Sequence, residues 1–271
     1  MTAGRLRQLN LGGMLVSATT FVLVAVWAFP IFWALLTTVR SQDTGAGFLR
    51  TYGFVLFETD LWRWYVNSFV TSGGVTVIVL VISSACGYAI SQIDFSGRIL
   101  LWVVILASFI IPVQALIVNH FFLIYQLGLL NTWLGVILPQ LIAPIAVIVY
   151  KQMFDAVSKE IGEAAMIDGA THWKIFLHIY LPMNWGVTSA LAIIIFISAW
   201  NAFLWPFLAV TKTEQMNVTV SIAELGSYGI GGVAAAIMAG LPVILIYLLF
   251  QRRVTEAVTM SAGIKDESRY T

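Results

Sequence analysis

The segment KQMFDAVSKEIGEAAMIDGATHWKIFLHIYLP, residues 151–182, decides how this chain folds, because it interrupts a sequence that is otherwise poor in charge. Hydrophobic residues make up 60% and charged residues 10% of the 271 residues, whereas soluble domains carry roughly 25% charged residues. So little charge cannot cover a soluble protein, and lipid is the solvent that such an apolar surface needs. The formal net charge is +1, which gives no broad basic surface for nucleic acid.

The charges of this segment exclude it from the hydrocarbon of the bilayer. They are Lys151, Asp155, Lys159, Glu160, Glu163, Asp168 and Lys174. Each costs about 2.5–3.5 kcal/mol at the centre of a membrane helix, and together they cost roughly 20 kcal/mol. The segment therefore forms a loop outside the membrane.

The loop also carries a helical pattern. Its apolar stripe consists of Val157, Ile161, Ala164 and Ala165, and the opposite face holds Lys159, Glu160 and Glu163. Asp168-Gly169 predicts a helix stop and a turn, and a second, more apolar stretch runs to Pro182. We expect two short helices around the glycine, with a functional role. An amphipathic hairpin lying on the lipid surface would give the same pattern.

Apolar runs on both sides of the loop predict an all-α membrane protein with six transmembrane helices, because a bilayer core takes about 20 apolar residues per helix. The predicted spans are about 11–37, 65–91, 99–124, 132–150, 184–210 and 231–250, within one transmembrane domain over 1–271. A polar tail, 252–271, follows the last span.

The Lys and Arg residues predict the orientation of these spans. With the N-terminus inside, only four of the 14 basic residues fall outside, and these are Arg40, Arg50, Arg63 and Lys212. An excess of Lys and Arg marks the cytoplasmic side. We therefore expect a multi-pass inner-membrane protein with the loop and both termini in the cytoplasm.

The residues of the loop resemble a known family. Glu163-Ala164-Ala165, Gly169 and Ile179-x-Leu181-Pro182 match the EAA motif of ABC importer permeases, EAA-x3-G-x9-I-x-LP, at every fixed position. The longer run 163–182 and the stretch SAWNAFLWP, residues 198–206, are similar to the carbohydrate-uptake branch. TMSAGIK, residues 259–265, resembles the tail of the smaller maltose-type membrane subunit.

The resemblance implies a type I ABC importer fold with a cytoplasmic coupling-helix loop. It also implies four kinds of partner besides lipid: a second homologous permease subunit, two ATP-binding subunits, an external substrate-binding protein and a carbohydrate. The residues that would couple to the ATPase are Glu163, Ala164, Ala165, Asp168, Gly169, Ala170, Leu181 and Pro182. In the tail, Ser261, Ala262, Gly263 and Lys265 are candidates for a further ATPase contact.

The sequence itself has no phosphate-binding loop of the form G-x-x-x-x-G-K-[ST]. We therefore expect no cofactor on this chain and no ATP hydrolysis by it, with ATP and Mg²⁺ held by the partner ATPase subunits. We also predict no catalytic residues and no metal site.

Polar residues inside the spans are candidates for the substrate pathway, because such residues usually face a cavity or another helix. They are Gln114, Asn119, His120, Gln140, Trp200 and Asn201. An aromatic ring beside an amide suits a sugar. Hydrogen bonds between helices and tryptophans at the membrane surface would explain the same residues.

Two other classes of protein fit the composition. A stand-alone secondary transporter or channel is the main alternative to an importer subunit, but inverted repeats and intramembrane acidic residues, which that class often has, are not visible. An intramembrane enzyme lacks candidate residues in this sequence.

Overall fold

Every regular element in the described part of the chain is a helix, which confirms the predicted all-α class. The computed structural model describes residues 11–40, 47–226 and 229–261. The α-helices are α1 (Leu11–Arg40), α2 (Gly47–Phe57), α3 (Leu61–Gln92), α4 (Arg98–Ile110), α5 (Ile117–Gln126), α6 (Trp133–Ile137), α7 (Pro144–Asp155), α8 (Lys159–Ile167), α9 (His172–Ile175), α10 (Leu181–Met183), α11 (Trp185–Trp200), α12 (Leu204–Ala209), α13 (Val218–Leu225) and α14 (Ile230–Ser261). Short 3-10 turns cover Val113–Leu116, Leu138–Leu141 and Thr213–Gln215, and a π-helical turn covers Phe176–Tyr180.

The chain divides into two compact units. The smaller holds the described residues of Met1–Thr59 and Leu225–Met238, and the larger holds those of Asp60–Glu224 and Ala239–Thr271. In the smaller unit α1 packs against α2, and the hydroxyl oxygens of Thr38 and Tyr52 lie 3.3 Å apart.

Among the described residues, three helical stretches are long and apolar enough to cross a bilayer alone: Gly13–Arg40, Leu61–Gln92 and Gly231–Gln251. Three pairs of shorter helices reach that length only together, and each pair is bent. The pairs are Arg98–Ile110 with Val113–Gln126 at 92°, Trp133–Leu141 with Pro144–Asp155 at 52°, and His172–Met183 with Trp185–Trp200 at 79°. Six spans result if each bent pair crosses the membrane once, so the number of spans stays a prediction.

Two of the bends lie inside the predicted spans at 99–124 and 132–150, and the third lies at the start of the predicted span at 184–210. The first bend lies at Pro112 and the second just before Pro144, and a proline has no N–H to continue a helical ladder. α7 also continues to Asp155, so Lys151 and Asp155 belong to that helix rather than to the loop. α11 ends at Trp200, and the separate helix α12 follows.

The larger unit is built around α3, which packs most extensively against α7 and α11. Where α3 and α7 end, an aromatic core joins them to the helices that follow Gly169. Its buried members are Tyr88, Tyr150, Phe154, Val157, Ile175, Phe176, Tyr180 and Leu191. This core fixes the loop to the helices of the larger unit.

Candidate functional site

The loop forms two short helical stretches around Gly169, as the sequence predicts. α8 ends at Ile167, and Gly169 has a φ of +82°, in the left-handed region that glycine adopts without strain. The Gly169 N–H donates to the Met166 carbonyl, and the Ala170 N–H donates to the Ala165 carbonyl at 2.9 Å. This pair of bonds is a Schellman C-cap, which satisfies carbonyls that a helix end leaves unpaired.

The buried face of α8 differs from the predicted stripe. Ile161 and Ala164 are exposed, whereas Gly162 is buried and Ala165 packs against the aromatic core. The reason is the close approach of a tyrosine: a Cβ on Gly162 would lie 3.2 Å from the Tyr180 hydroxyl oxygen. A glycine carries no hydrophobic signal, so periodicity alone does not identify it as the inward position.

The outward surface of α8 combines charge with apolar area. Glu163, Ala164 and Asp168 are exposed, and the apolar side chains of Met166 and Ile167 are 44% and 87% exposed. We call these five residues the α8 surface. Exposed apolar side chains with polar residues around them mark surfaces that contact another protein or a membrane.

The other predicted coupling residues lie beside this surface or beneath it. Gly169 is exposed at the turn and Pro182 is exposed near the end of the second helical stretch. Ala170 and Leu181 pack against the aromatic core. The predicted set therefore divides into exposed residues and residues that hold the loop in place.

A glutamine at the end of α3 joins three elements. The Gln92 amide nitrogen donates to the Phe154 carbonyl at 3.0 Å and to the Ser91 hydroxyl at 2.7 Å. Its amide oxygen accepts a hydrogen bond from the Tyr180 hydroxyl at 2.8 Å. Gln92 therefore links α3 and α7 to the π-helical turn.

A second link joins α3 to α7 directly. The Ser91 hydroxyl donates to the Asp155 carboxylate at 2.6 Å, and Lys151 pairs with the other oxygen of Asp155. The Lys151 ammonium also lies 5.0 Å from the centre of the Trp102 ring, within cation–π range.

Sequence reasoning did not identify Gln92, Ser91 or Tyr180 as site residues. One signal was available: a tyrosine in an otherwise apolar helical stretch usually finds a partner for its hydroxyl when it is buried. The partner lies 88 residues earlier in the chain, and a single sequence does not reveal such a distant contact.

A cavity of about 840 Å³ lies beside the bends of the larger unit. Its polar lining includes Gln114, His120 and Gln140, and its aromatic lining includes Phe203 and Trp205. Pro112 and Ala143, at two helix breaks, also border it. Non-helical backbone at membrane depth is tolerated where it lines a cavity or is buried in protein.

The predicted pathway residues separate into two groups. Gln114 and Gln140 line the cavity, and His120 joins them there with its ring edge-on to Trp205 at 6.0 Å. Asn119, Trp200 and Asn201 do not line it. Trp200 is 1% exposed, and its indole N–H donates to the Ala239 carbonyl at 3.2 Å.

The predicted tail contact lies almost wholly outside the described residues. Ser261 is the last residue of α14. Ala262, Gly263 and Lys265 fall beyond the described part of the chain.

Several helices long and apolar enough to cross a bilayer indicate a multi-pass membrane protein. Residues 80–259 match the family model described as binding-protein-dependent transport system inner membrane component. The chain belongs to this family.

Two relatives agree with this assignment. The chain is 33% identical to the arabinooligosaccharides transport system permease protein AraQ of Halalkalibacterium halodurans, over 80% of this chain and 79% of the relative. It is 28% identical to the trehalose/maltose transport system permease protein MalG of Thermococcus litoralis, over 95% of this chain and 99% of the relative.

A solved structure shares the fold. A chain from the crystal structure of a bacterial ABC transporter involved in the import of the acidic polysaccharide alginate superposes with a TM-score of 0.78. The match covers 93% of this chain and 99% of the other, at 22% identity. The fold is therefore that of an ABC importer permease.

Proposed function

We propose that this chain is one permease subunit of an ATP-driven importer for a sugar or related carbohydrate. It forms half of the translocation pathway and pairs with a second, homologous permease subunit. Two ATP-binding subunits drive the movement, and an external binding protein delivers the substrate. The α8 surface, in a chain of a binding-protein-dependent family, is the observation that supports this function.

In the proposed complex, α8 is the coupling helix that docks on an ATPase subunit. The exposed Glu163 carboxylate suits a basic partner across the interface, and the small Ala164 lets the helix approach another surface. Ile167, 87% exposed, adds the apolar area that a stable contact needs. The C-terminal tail adds a second contact through Ser261, Ala262, Gly263 and Lys265.

The proposed orientation places α8 and both termini in the cytoplasm, on the side where ATP is available. The distribution of Lys and Arg residues supports it. The cavity lined by Gln114 and Gln140 then belongs to the membrane pathway, where amides and aromatic rings offer hydrogen bonds and apolar contacts to a sugar. The names of both relatives, which specify oligosaccharides or disaccharides, support a carbohydrate substrate.

ATP hydrolysis is expected only when the partner subunits are present. The chain lacks the backbone loop that cradles phosphates, so we place ATP and Mg²⁺ in the ATPase subunits. Purified alone, the chain is expected to release no phosphate from ATP, and adding the ATPase subunits restores turnover. Phosphate release by the isolated chain would contradict the proposed function.

Replacing Glu163 by alanine is expected to weaken ATPase docking about tenfold, which corresponds to the loss of one hydrogen bond to a charged group. The measurement is the affinity of the purified ATPase subunit for the permease complex in detergent. Glu160→Ala is the matched control, because Glu160 is an exposed carboxylate on the same helix that accepts a hydrogen bond from Ser158, the residue just before α8. Equal affinities for wild type and Glu163→Ala would count against the contact.

A further inference from the structure

We infer that Tyr180 and Gln92 are positioning residues that carry movement of α8 into α3 and α7. The inference rests on the proposed role of α8 as the ATPase contact. It assigns a transmitting role to a hydrogen-bonded pair that lies beneath the docking surface and touches neither ATP nor substrate.

The first step of the transmission is the contact between α8 and Tyr180. Gly162 is the buried residue of α8, and a Cβ there would lie 3.2 Å from the Tyr180 hydroxyl oxygen. The backbone of α8 therefore rests against this hydroxyl, and α8 cannot move inward without displacing it.

The second step is the rigidity of the tyrosine. Tyr180 is 1% exposed, and its ring centre lies 5.3 Å from that of Tyr88 and 5.8 Å from that of Phe154. A ring packed on these sides cannot swing aside to absorb a shift of α8, because packed interiors transmit strain. The hydroxyl moves with α8, and its hydrogen bond moves Gln92.

The third step is the link from Gln92 to both large helices. Gln92 ends α3 and donates to the carbonyl of Phe154 near the end of α7. The separate Ser91–Asp155 hydrogen bond ties the same two helix ends together. A displacement of Gln92 therefore moves α3 and α7 as one body, and α3 is the helix around which the larger unit is packed.

A cleft beside the pair places it close to the docking surface. Glu163, Gln92 and Tyr180 all line this cleft, which has a volume of about 200 Å³. The residue proposed to meet the ATPase and the pair proposed to pass the movement on therefore border the same space.

The test compares the two ends of the transmission in the assembled transporter, with its ATPase subunits, in lipid nanodiscs. Spin labels are placed on α8 through Glu160→Cys, outside the α8 surface, and near the start of α3 through Arg63→Cys, both exposed, in a Cys86→Ser background. The probe is ATP with vanadate, so no transport substrate is needed. In wild type, both labels are expected to change mobility when the probe is added.

Tyr180→Phe removes only the hydroxyl. We expect the α8 label to respond as in wild type, while the response of the α3 label falls about fivefold, in line with the loss of one hydrogen bond. Tyr150→Phe is the matched control: it removes a buried hydroxyl from the same aromatic core, one that donates to Thr188 in α11 at 3.2 Å. It is expected to leave both responses unchanged.

A second variant guards against a folding defect. Gln92→Met keeps the length of the side chain and removes its three hydrogen bonds, to Phe154, Ser91 and Tyr180. Its effect should not add to that of Tyr180→Phe. An α3 response at the wild-type level in either variant would overturn the inference, as would an equal loss in Tyr150→Phe. Failure of both variants to assemble would also overturn it, because the pair would then hold the fold. If the mobility of the α8 label does not change in wild type when the probe is added, that result would instead contradict the proposed function.

Discussion

A transporter that carries Gly169→Pro is expected to reach the membrane but to lose its ATPase subunits and its ATP-driven uptake. Gly169 has a φ of +82°, whereas proline fixes φ near −65° and has no N–H. The substitution therefore removes the hydrogen bond from Gly169 to Met166 and breaks the C-cap of α8. A residue forced into an incompatible turn of this kind costs about 3 kcal/mol, and the cost falls on the helix that carries the α8 surface.

The matched control at the same position is Gly169→Asn, because asparagine adopts the left-handed conformation more readily than other residues and keeps the N–H. Co-purification of the ATPase subunits measures docking, and uptake into proteoliposomes measures function. Both should be near wild type in Gly169→Asn and near background in Gly169→Pro, with equal amounts of each variant in the membrane. Wild-type docking together with wild-type uptake in Gly169→Pro would refute the role of the turn.

The turn at Gly169 was predictable because its signal is local. Asp168-Gly169 directly follows a helical pattern, and glycine at a helix end is favoured by backbone geometry alone. The inward face of α8 was not predictable in the same way. It depends on the contact between Gly162 and Tyr180, and these residues meet only after the chain has folded back on itself.

The bends in the helices also depend on more than the local sequence. Pro112 and Pro144 lie at breaks of 92° and 52°, whereas Pro30 and Pro242 lie inside the continuous helices α1 and α14. The local chemistry of proline is identical at all four positions. Whether a proline bends a helix therefore depends on the packing around it and not on the proline alone.

The pathway residues illustrate why polar composition identifies a region better than an individual side chain. Gln114 and Gln140 line one cavity although 26 positions separate them in the chain. Trp200 carries the same kind of signal and is instead a core residue, stacked against Phe196 with ring centres 5.8 Å apart. The indole N–H of an interior tryptophan can serve either packing or ligand binding, and only the position of its hydrogen-bond partner distinguishes the two roles.

Gly87→Ala is expected to destabilise the chain more than any other single methyl group added to α3. A Cβ at Gly87 would lie 2.7 Å from the Cβ of Tyr150 and 3.0 Å from the backbone nitrogen of Lys151. The backbones of α3 and α7 therefore meet at this glycine, and neither contact can be relieved by rotating a flexible side chain. Overpacking of this kind costs about 1–3 kcal/mol, which lowers the melting temperature by about 2–4 °C per kcal/mol in a chain of this size.

The sign of the shift, rather than its size, decides this prediction, because the same change elsewhere in α3 should act in the opposite direction. Gly73 is also in α3, and a Cβ there meets nothing within 4 Å. Gly73→Ala should raise the melting temperature, since alanine favours a helix by about 1 kcal/mol over glycine. Thermal unfolding of the purified chain in detergent, followed by tryptophan fluorescence, compares the two variants.

Shifts of the same sign would mean that α3 and α7 do not approach at Gly87. A drop confined to Gly87→Ala would mean that the backbones of α3 and α7 are in close contact at Gly87. Gly87 lies one helical turn before Ser91 and Gln92, so this contact would hold the two helices together close to the residues proposed to receive movement from α8.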